Sequence, residues 1–159
     1  FKSNRVKMDV KIKVAALSDA KEIAKVIRSS IKACIQDHQN DEKLLEGWLD
    51  NETQNNVKEW LETHHIYIAT SHDKIIGVIM YARFGEILLN YVLPTLQGHG
   101  IGKAMLNAVK VDATEKNLTE LYLESTLTAK DFYLSQGFNI IAQVTDNARL
   151  IGYEMSYQL

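Results

Sequence analysis

The stretch VLPTLQGHGIGKAM, residues 92–105, contains three of the chain's eight glycines within five residues. It also contains the only proline, Pro94, and a helical pattern begins near Gly100. Glycine has no Cβ, so it lets a ligand approach the backbone amides and adopts positive φ at little cost. The start of a helix adds unpaired N–H groups and a partial positive charge. The stretch therefore predicts a turn that binds an anion, with a phosphate group as the expected ligand.

Two common phosphate-binding motifs do not fit this spacing. In the dinucleotide fingerprint G-x-G-x-x-G, the third glycine would fall on Lys103 or on Met105. The nucleotide P-loop G-x-x-x-x-G-K-[ST] has Gln97 in place of its first glycine and Ala104 in place of its hydroxyl residue. The pattern therefore supports neither a dinucleotide nor a P-loop nucleotide.

What remains is a Q-x-x-G-x-G pattern at residues 97–102, preceded by Val-Leu-Pro at 92–94. A second segment, AKDFYLSQGF at residues 129–138, follows after a predicted strand. Together they resemble the GNAT superfamily of N-acetyltransferases, with its [RQ]-x-x-G-x-[GA] signature and its A-x-x-[FL]-Y-x-x-x-G-F segment. The resemblance is sharp over residues 75–138, and elsewhere only the order of elements agrees.

The resemblance implies a binding site for acetyl-coenzyme A. In the family the signature amides receive the pyrophosphate, and the preceding strand pairs with the pantetheine arm. The residues it implies for cofactor binding are Tyr91, Val92, Leu93, Gln97, Gly98, His99, Gly100, Ile101, Gly102, Lys103, Ser125 and Thr126. Thr126 departs from the family, which often has Asn at this position, so that polar contact is expected either to be altered or to be supplied by Ser125. No metal is implied.

The implied reaction is direct attack of a primary amine on the thioester in a ternary complex. Tyr133 matches the position of the family's tyrosine, which protonates the leaving thiolate. A phenol suits this role, because with a pKa of about 10 it stays protonated at neutral pH. Asn90 is the second catalytic candidate, since it shares strand parity with Val92. The general base is not identified, and Glu86, Asp37, His38 and Asp41 are further candidates. A non-catalytic acyl-coenzyme A sensor and a different acyl donor are the alternatives.

Apolar periodicity predicts the elements around this site. A strand at 10–16 precedes a helix that begins at Ser18-Asp19, where Glu22 suggests a capping box. Two short helices, 41–51 and 53–62, lead into three strands between residues 66 and 92. A helix from about 100 to 116, a strand at 120–125, a helix near 127–136 and two closing strands follow. The predicted fold is a mixed α+β domain, with a largely antiparallel sheet of six or seven strands, a splayed parallel pair and flanking helices.

Composition restricts the class of protein. The 159 residues favour a single domain, and the basic opening, residues 1–8, is expected to be a flexible leader. The formal net charge of −2 argues against nucleic acid as a partner, and no apolar run is long enough for a membrane span. A single cysteine favours the cytoplasm.

The acceptor is expected to be a small-molecule or peptide amine. Because members of the family often dimerise, a homodimer is also expected, with the face of Tyr153, Met155 and Tyr157 lining either its interface or the core.

Overall fold

The structure is a computed structural model that describes residues 9–33 and 54–159. The predicted helix 41–51 and the candidates Asp37, His38 and Asp41 lie outside these residues. Within them the strands are β1 (Lys11–Val14), β2 (His65–Ser71), β3 (Lys74–Tyr81), β4 (Ile87–Val92), β5 (Glu120–Thr126), β6 (Asn139–Asp146) and β7 (Arg149–Gln158). The helices are α1 (Ala20–Ala33), α2 (Gln54–Thr63), α3 (Ile101–Glu115) and α4 (Lys130–Ser135), with short 3-10 turns at Leu17–Asp19 and Pro94–Leu96. No helix in these two ranges is long and apolar enough to cross a membrane.

The strands form two antiparallel sheets, ordered β1-β2-β3-β4 and β5-β7-β6. A parallel bridge between Glu86 and Tyr122 joins them, just before β4 and near the start of β5. The predicted mixed α+β architecture, with its splayed parallel pair, is therefore confirmed. The two strands share a bridge at one point and do not form a continuous ladder.

Helices cover both faces of this arrangement. One buried cluster packs α1 and α2 against β2 and β3, with Ile27, Val57 and Ile68 fully buried. The other packs α3 and α4 against both sheets, with Met105 and Leu121 fully buried. Met155 is buried in this second cluster, and Tyr153 and Tyr157, which are partly buried, pack against it, so the face that they share packs on the core.

The start of α1 differs from the predicted capping box. Asp19 accepts a hydrogen bond from the main-chain N–H of Ala16, at 2.8 Å, and thereby closes the 3-10 turn. Glu22 does not reach back to the cap. Its Oε2 accepts the N–H of Ile75 at 2.8 Å, which joins the helix to the start of β3. The helix is where the pattern predicted it, but the Glu22 carboxylate binds β3 and does not cap the helix.

Bulges explain three exposed apolar residues that alternation alone would bury. Leu88, Ile141 and Ile151 are 42%, 61% and 39% exposed, and each is an extra residue where the strand register shifts. A bulge places two residues opposite one, which breaks the period of two. For this reason Ile151, although it alternates with Tyr153, Met155 and Tyr157 in the sequence, does not share their buried side.

A buried polar cluster fastens the end of α3 to the first sheet. The hydroxyl of Tyr81, a fully buried side chain on β3, donates to Asp112, which also contacts Lys116 at 2.5 Å. Burial alone would raise the pKa of Asp112, but the hydrogen bonds from Lys116, Tyr81 and Tyr67 lower it overall. Burial, reinforced by the same carboxylate, raises the pKa of Tyr67 to about 12. The aspartate is therefore ionised and stabilised by donors.

Replacing Tyr81 with phenylalanine removes a donor from this ionised carboxylate in a buried site. We expect the free energy of unfolding to fall by about 1–3 kcal/mol, because the charge loses a hydrogen bond that water cannot replace there. Urea denaturation at neutral pH measures the change. The matched control is Tyr122→Phe, because the Tyr122 hydroxyl has no hydrogen bond among residues 9–33 and 54–159. An equal loss in both variants would contradict this account of the cluster.

Candidate active site

A cavity of about 890 Å³ opens where β4 and β5 separate. The two strands meet at their beginnings, where the N–H of Tyr122 donates to the carbonyl of Gly85 at 3.1 Å. A Cβ at Gly85 would stand 2.5 Å from the carbonyl oxygen of Glu120, so only glycine allows this close approach. Beyond this contact the strands diverge, and residues 87–92 and 123–126 line the two walls.

The β4 wall presents main-chain groups to this gap. Val92 lies opposite Gly77, and the N–H of Leu93 donates to the carbonyl of Ile76 at 2.9 Å. In an antiparallel ladder this flanking bond identifies Val92 and Gly77 as a pair that does not exchange hydrogen bonds. The N–H and C=O groups of Val92, and by alternation those of Asn90, therefore point away from β3 and toward the gap.

The loop between β4 and α3 presents a second set of donors. The main-chain N–H groups of residues 97–103 donate to no acceptor in the part of the chain that the structure describes. The first bond of the helix runs from the N–H of Ala104 to the carbonyl of Gly100. Because no acidic side chain occupies the first turn of this 15-residue helix, its positive end faces the cavity without a compensating charge.

Two glycines shape this loop. Gly98 and Gly100 have φ of 84° and 78°, in the left-handed region that residues with a Cβ rarely adopt. A Cβ at either position would meet nothing within 4 Å. Packing within the protein therefore does not explain why these positions lack side chains. Backbone conformation does, because glycine adopts positive φ at little cost.

Tyr133 and Asn90 meet at the inner side of the cavity. Asn90 on β4 donates from Nδ2 to the Tyr133 hydroxyl on α4 at 3.2 Å. The phenol oxygen accepts this bond, so its own proton remains available for another partner. The Oδ1 atom of Asn90 is buried and has no hydrogen-bond partner among the described residues. Buried amide oxygens are rarely left in this state, so the atom marks a place for a ligand donor.

The surroundings of Tyr133 keep it protonated. Its side chain is 8% exposed and packs edge-on against Phe132 and Phe138. Burial raises the pKa of Tyr133 above its usual value of 10.0, and the hydrogen bond from Asn90 opposes this only in part. At neutral pH the group is therefore a phenol that can donate a proton into the cavity.

Thr126 and Ser125 have distinct roles at the end of β5. Thr126 Oγ1 accepts the N–H of Ala129 at 3.2 Å and closes the turn into α4. This turn is why α4 begins only at Lys130, later than the predicted start near 127. The Ser125 hydroxyl donates to the carbonyl of Thr126 at 2.7 Å, and the residue is buried. Both residues line the cavity.

Most of the residues singled out from the sequence line this one cavity. They are Asn90, Tyr91, Val92, Gln97, Gly98, Gly100, Ile101, Gly102, Lys103, Ser125, Thr126 and Tyr133. Leu93 and His99 are not among the lining residues: Leu93 packs against both core clusters, and His99 is exposed between two glycines. Glu86, a candidate base, does not line the cavity either.

The structure adds residues that sequence reasoning did not select. Glu124 lines the cavity from β5, Phe132 and Gln136 line it from α4 and its C-terminal end, and Ile31 and Ala33 line it from the end of α1. Glu124 had a weak signal, because it is a charged residue two positions before Thr126 on the same face of a strand next to the site. The α1 residues had none, since their pattern indicates core packing only.

The arrangement of these elements matches known proteins. The model of the acetyltransferase (GNAT) domain matches residues 34–159. A GCN5-related N-acetyltransferase from Rhodopseudomonas palustris superposes with a TM-score of 0.83 at 19% identity, covering 98% of this chain and 100% of its own. The PaiA N-acetyltransferase from Thermoplasma acidophilum, solved with coenzyme A, has a TM-score of 0.82 at 18% identity. The match covers 96% of this chain and 100% of that one.

A third structure, yncA from Salmonella typhimurium with its cofactor acetyl-CoA, has a TM-score of 0.70 at 20% identity. The match covers 94% of this chain and 93% of that one. No curated protein matches this sequence. The structural likenesses show the fold, and the domain model spans most of the chain, including the loop at 97–103 and the segment at 129–138. The chain therefore belongs to the GNAT acetyltransferase family.

Proposed function

We propose that this protein is an N-acetyltransferase that transfers the acetyl group of acetyl-coenzyme A to a primary amine by direct attack in a ternary complex. The observation that carries the proposal is one cavity that combines free main-chain donors at a helix start, an open strand edge and a protonated Tyr133. The amine is borne by a small molecule or a peptide, and the reaction is expected in the cytoplasm.

The residues present fit coenzyme A. A diphosphate needs several convergent donors, and the unpartnered N–H groups of residues 97–103 supply them beside the side chain of Lys103. Pantetheine carries two amide groups, and the outward N–H and C=O groups of Asn90 and Val92 offer the pairing that an extra strand would use. Two neighbours of the same fold were solved with coenzyme A or acetyl-CoA, which supports this choice.

Acetyl-coenzyme A supplies a thioester, whose acetyl group passes to the amine as the thiolate leaves. The N–H groups of β4 that face the gap are suited to polarise a carbonyl oxygen, since they need no reorganisation. Tyr133 holds its proton on the phenol oxygen and can release it toward a departing sulfur. Asn90 orients that phenol through Nδ2, and its free Oδ1 can accept an N–H of the amine. An amide oxygen is not a base, so the proton of the amine must go elsewhere.

We assign the acceptance of that proton to Glu124. It is the only carboxylate among the residues that line the cavity in ranges 9–33 and 54–159, and no cation is paired with it there. It stands on β5, the strand that forms the wall opposite β4. A carboxylate in this position also favours the approach of a positively charged amine.

Replacing Gly100 with alanine tests whether residues 97–103, here called the phosphate loop, bind the diphosphate of coenzyme A. A Cβ at φ of 78° strains the backbone and so disturbs the conformation of the loop, and we expect coenzyme A affinity to fall by at least about tenfold, measured by calorimetry. Asn147→Ala is the control, because Asn147 has φ of 49° in the turn between β6 and β7, away from the cavity. It should lose similar stability without losing affinity. Equal affinity in the two variants would argue against this loop as the binding site.

Replacing Tyr133 with phenylalanine tests the reaction. Purified enzyme is assayed for thiol release with acetyl-coenzyme A and a panel of amines, and mass spectrometry identifies the acetylated product. We expect kcat to fall about 10²-fold or more, with coenzyme A affinity nearly unchanged. Because burial raises the pKa of Tyr133, the wild type should keep this acid up to about pH 10 and lose it only above.

Tyr153→Phe is the control for this variant, since Tyr153 is a core tyrosine that does not line the cavity. Tight coenzyme A binding with no product for any amine would favour the sensor function instead. Faster thiol release with succinyl-coenzyme A or another donor than with acetyl-coenzyme A would favour a different acyl group.

Replacing Glu124 with glutamine tests the proton acceptor. We expect kcat/KM for the amine to fall at least about tenfold at pH 7. The gap in kcat/KM between wild type and variant should narrow as pH rises, because more of the amine is then already neutral. Glu154→Gln is the matched control, because Glu154 lies directly opposite Glu124 on β7 but does not line the cavity. A pH profile unchanged by Glu124→Gln would exclude this residue as the base.

A further inference from the structure

Helix α1 carries one buried polar residue on its packed face. Ser30 is 1% exposed, and the other buried residues of the helix are apolar, among them Ile27 and Ile31. A serine inside a helix commonly bonds back to its own preceding turn. Here Oγ instead donates to the carbonyl oxygen of Val92, at 3.2 Å and 62 positions away in the sequence. The hydroxyl therefore serves a contact between two elements.

The carbonyl that Ser30 reaches is one of the groups facing the gap. Val92 does not exchange hydrogen bonds with its partner Gly77 on β3, so its C=O points toward the space between β4 and β5. A carbonyl oxygen has two lone pairs. One accepts the Ser30 hydroxyl, which leaves the other for an N–H donor in the cavity.

The same turn of α1 forms part of the cavity rim. Ile31, the next residue, and Ala33 both line the cavity. The hydrogen bond of Ser30 therefore joins the helix at one rim to the strand that forms the wall. It restrains the direction of the Val92 carbonyl and the spacing between that carbonyl and the rim.

We propose that Ser30 is a positioning residue that holds the Val92 carbonyl toward the pantetheine arm of coenzyme A. This inference rests on the proposed function, because it names a determinant of binding in the same site. Ser30 itself does not line the cavity and acts through Val92. Its effect is accordingly restricted to ligands that carry the arm.

The test compares Ser30→Ala with Ser29→Ala, since Ser29 is the exposed neighbour on the same helix. Each variant is titrated by calorimetry with coenzyme A and with adenosine 3′,5′-bisphosphate, which lacks the pantetheine arm. For Ser30→Ala we expect the Kd of coenzyme A to rise about three- to tenfold, the effect of one ordinary hydrogen bond, and that of the bisphosphate to stay unchanged. Ser29→Ala should change neither.

The two ligands distinguish positioning from a general structural role. An equal weakening of both, or no change in coenzyme A affinity, would overturn the proposal while leaving the proposed function intact. A wild-type protein that does not bind coenzyme A would overturn both. Should Ser30→Ala fail to fold, Ser30→Cys keeps nearly the same volume with a weak donor, and its Kd for coenzyme A should still rise while that for the bisphosphate does not.

Discussion

The separation of β4 from β5 is the constraint on which the rest of this structure depends. Two parallel strands that continued as a ladder would satisfy each other's main-chain groups and leave no opening. Here they meet at Gly85 and Tyr122 and then diverge, so within residues 9–33 and 54–159 one edge of β4 has no partner strand beyond that point. Unpaired N–H and C=O groups inside a protein demand partners. A ligand with amide groups of its own is one that meets this demand.

Several contacts at a distance keep that opening in shape. At the C-terminal end of α3, Asp112 is held by Tyr81 and Lys116, while the N-terminal end of the same helix faces the cavity. On the other face, Glu22 fastens α1 to the start of β3, and Ser30 fastens it to the end of β4. Apart from the Asp112–Lys116 pair, which is local to the end of α3, each of these bonds joins elements that are distant in sequence. The loop at residues 97–103 and the α1 residues that line the cavity are thus attached, through α3 and α1, to defined points of the first sheet.

Much of the fold could be predicted because the helices and most strands carry strong periodic patterns. The apolar positions of α3 recur at helical spacing, and the glycines before it indicate the loop that precedes it. The pattern failed where the register shifts. Leu88, Ile141 and Ile151 look like core residues in an alternating strand, yet the bulges turn them toward solvent. A bulge depends on how two strands pair, which neither strand encodes alone.

The sequence by itself determined the family resemblance, the prediction of an anion site at residues 97–103 and the choice of Tyr133 as a candidate, because each depends on residue types at short spacing. Only the tertiary structure decided which groups meet in the cavity. Asn90 and Tyr133 come together across 43 positions, and Ser30 reaches Val92 across 62. It also decided that the N–H of Leu93 donates to the carbonyl of Ile76, while the main-chain groups of Val92 face the gap. Such outcomes follow from strand register and helix packing, which arise from the sum of many distant contacts and leave no local signal in the chain.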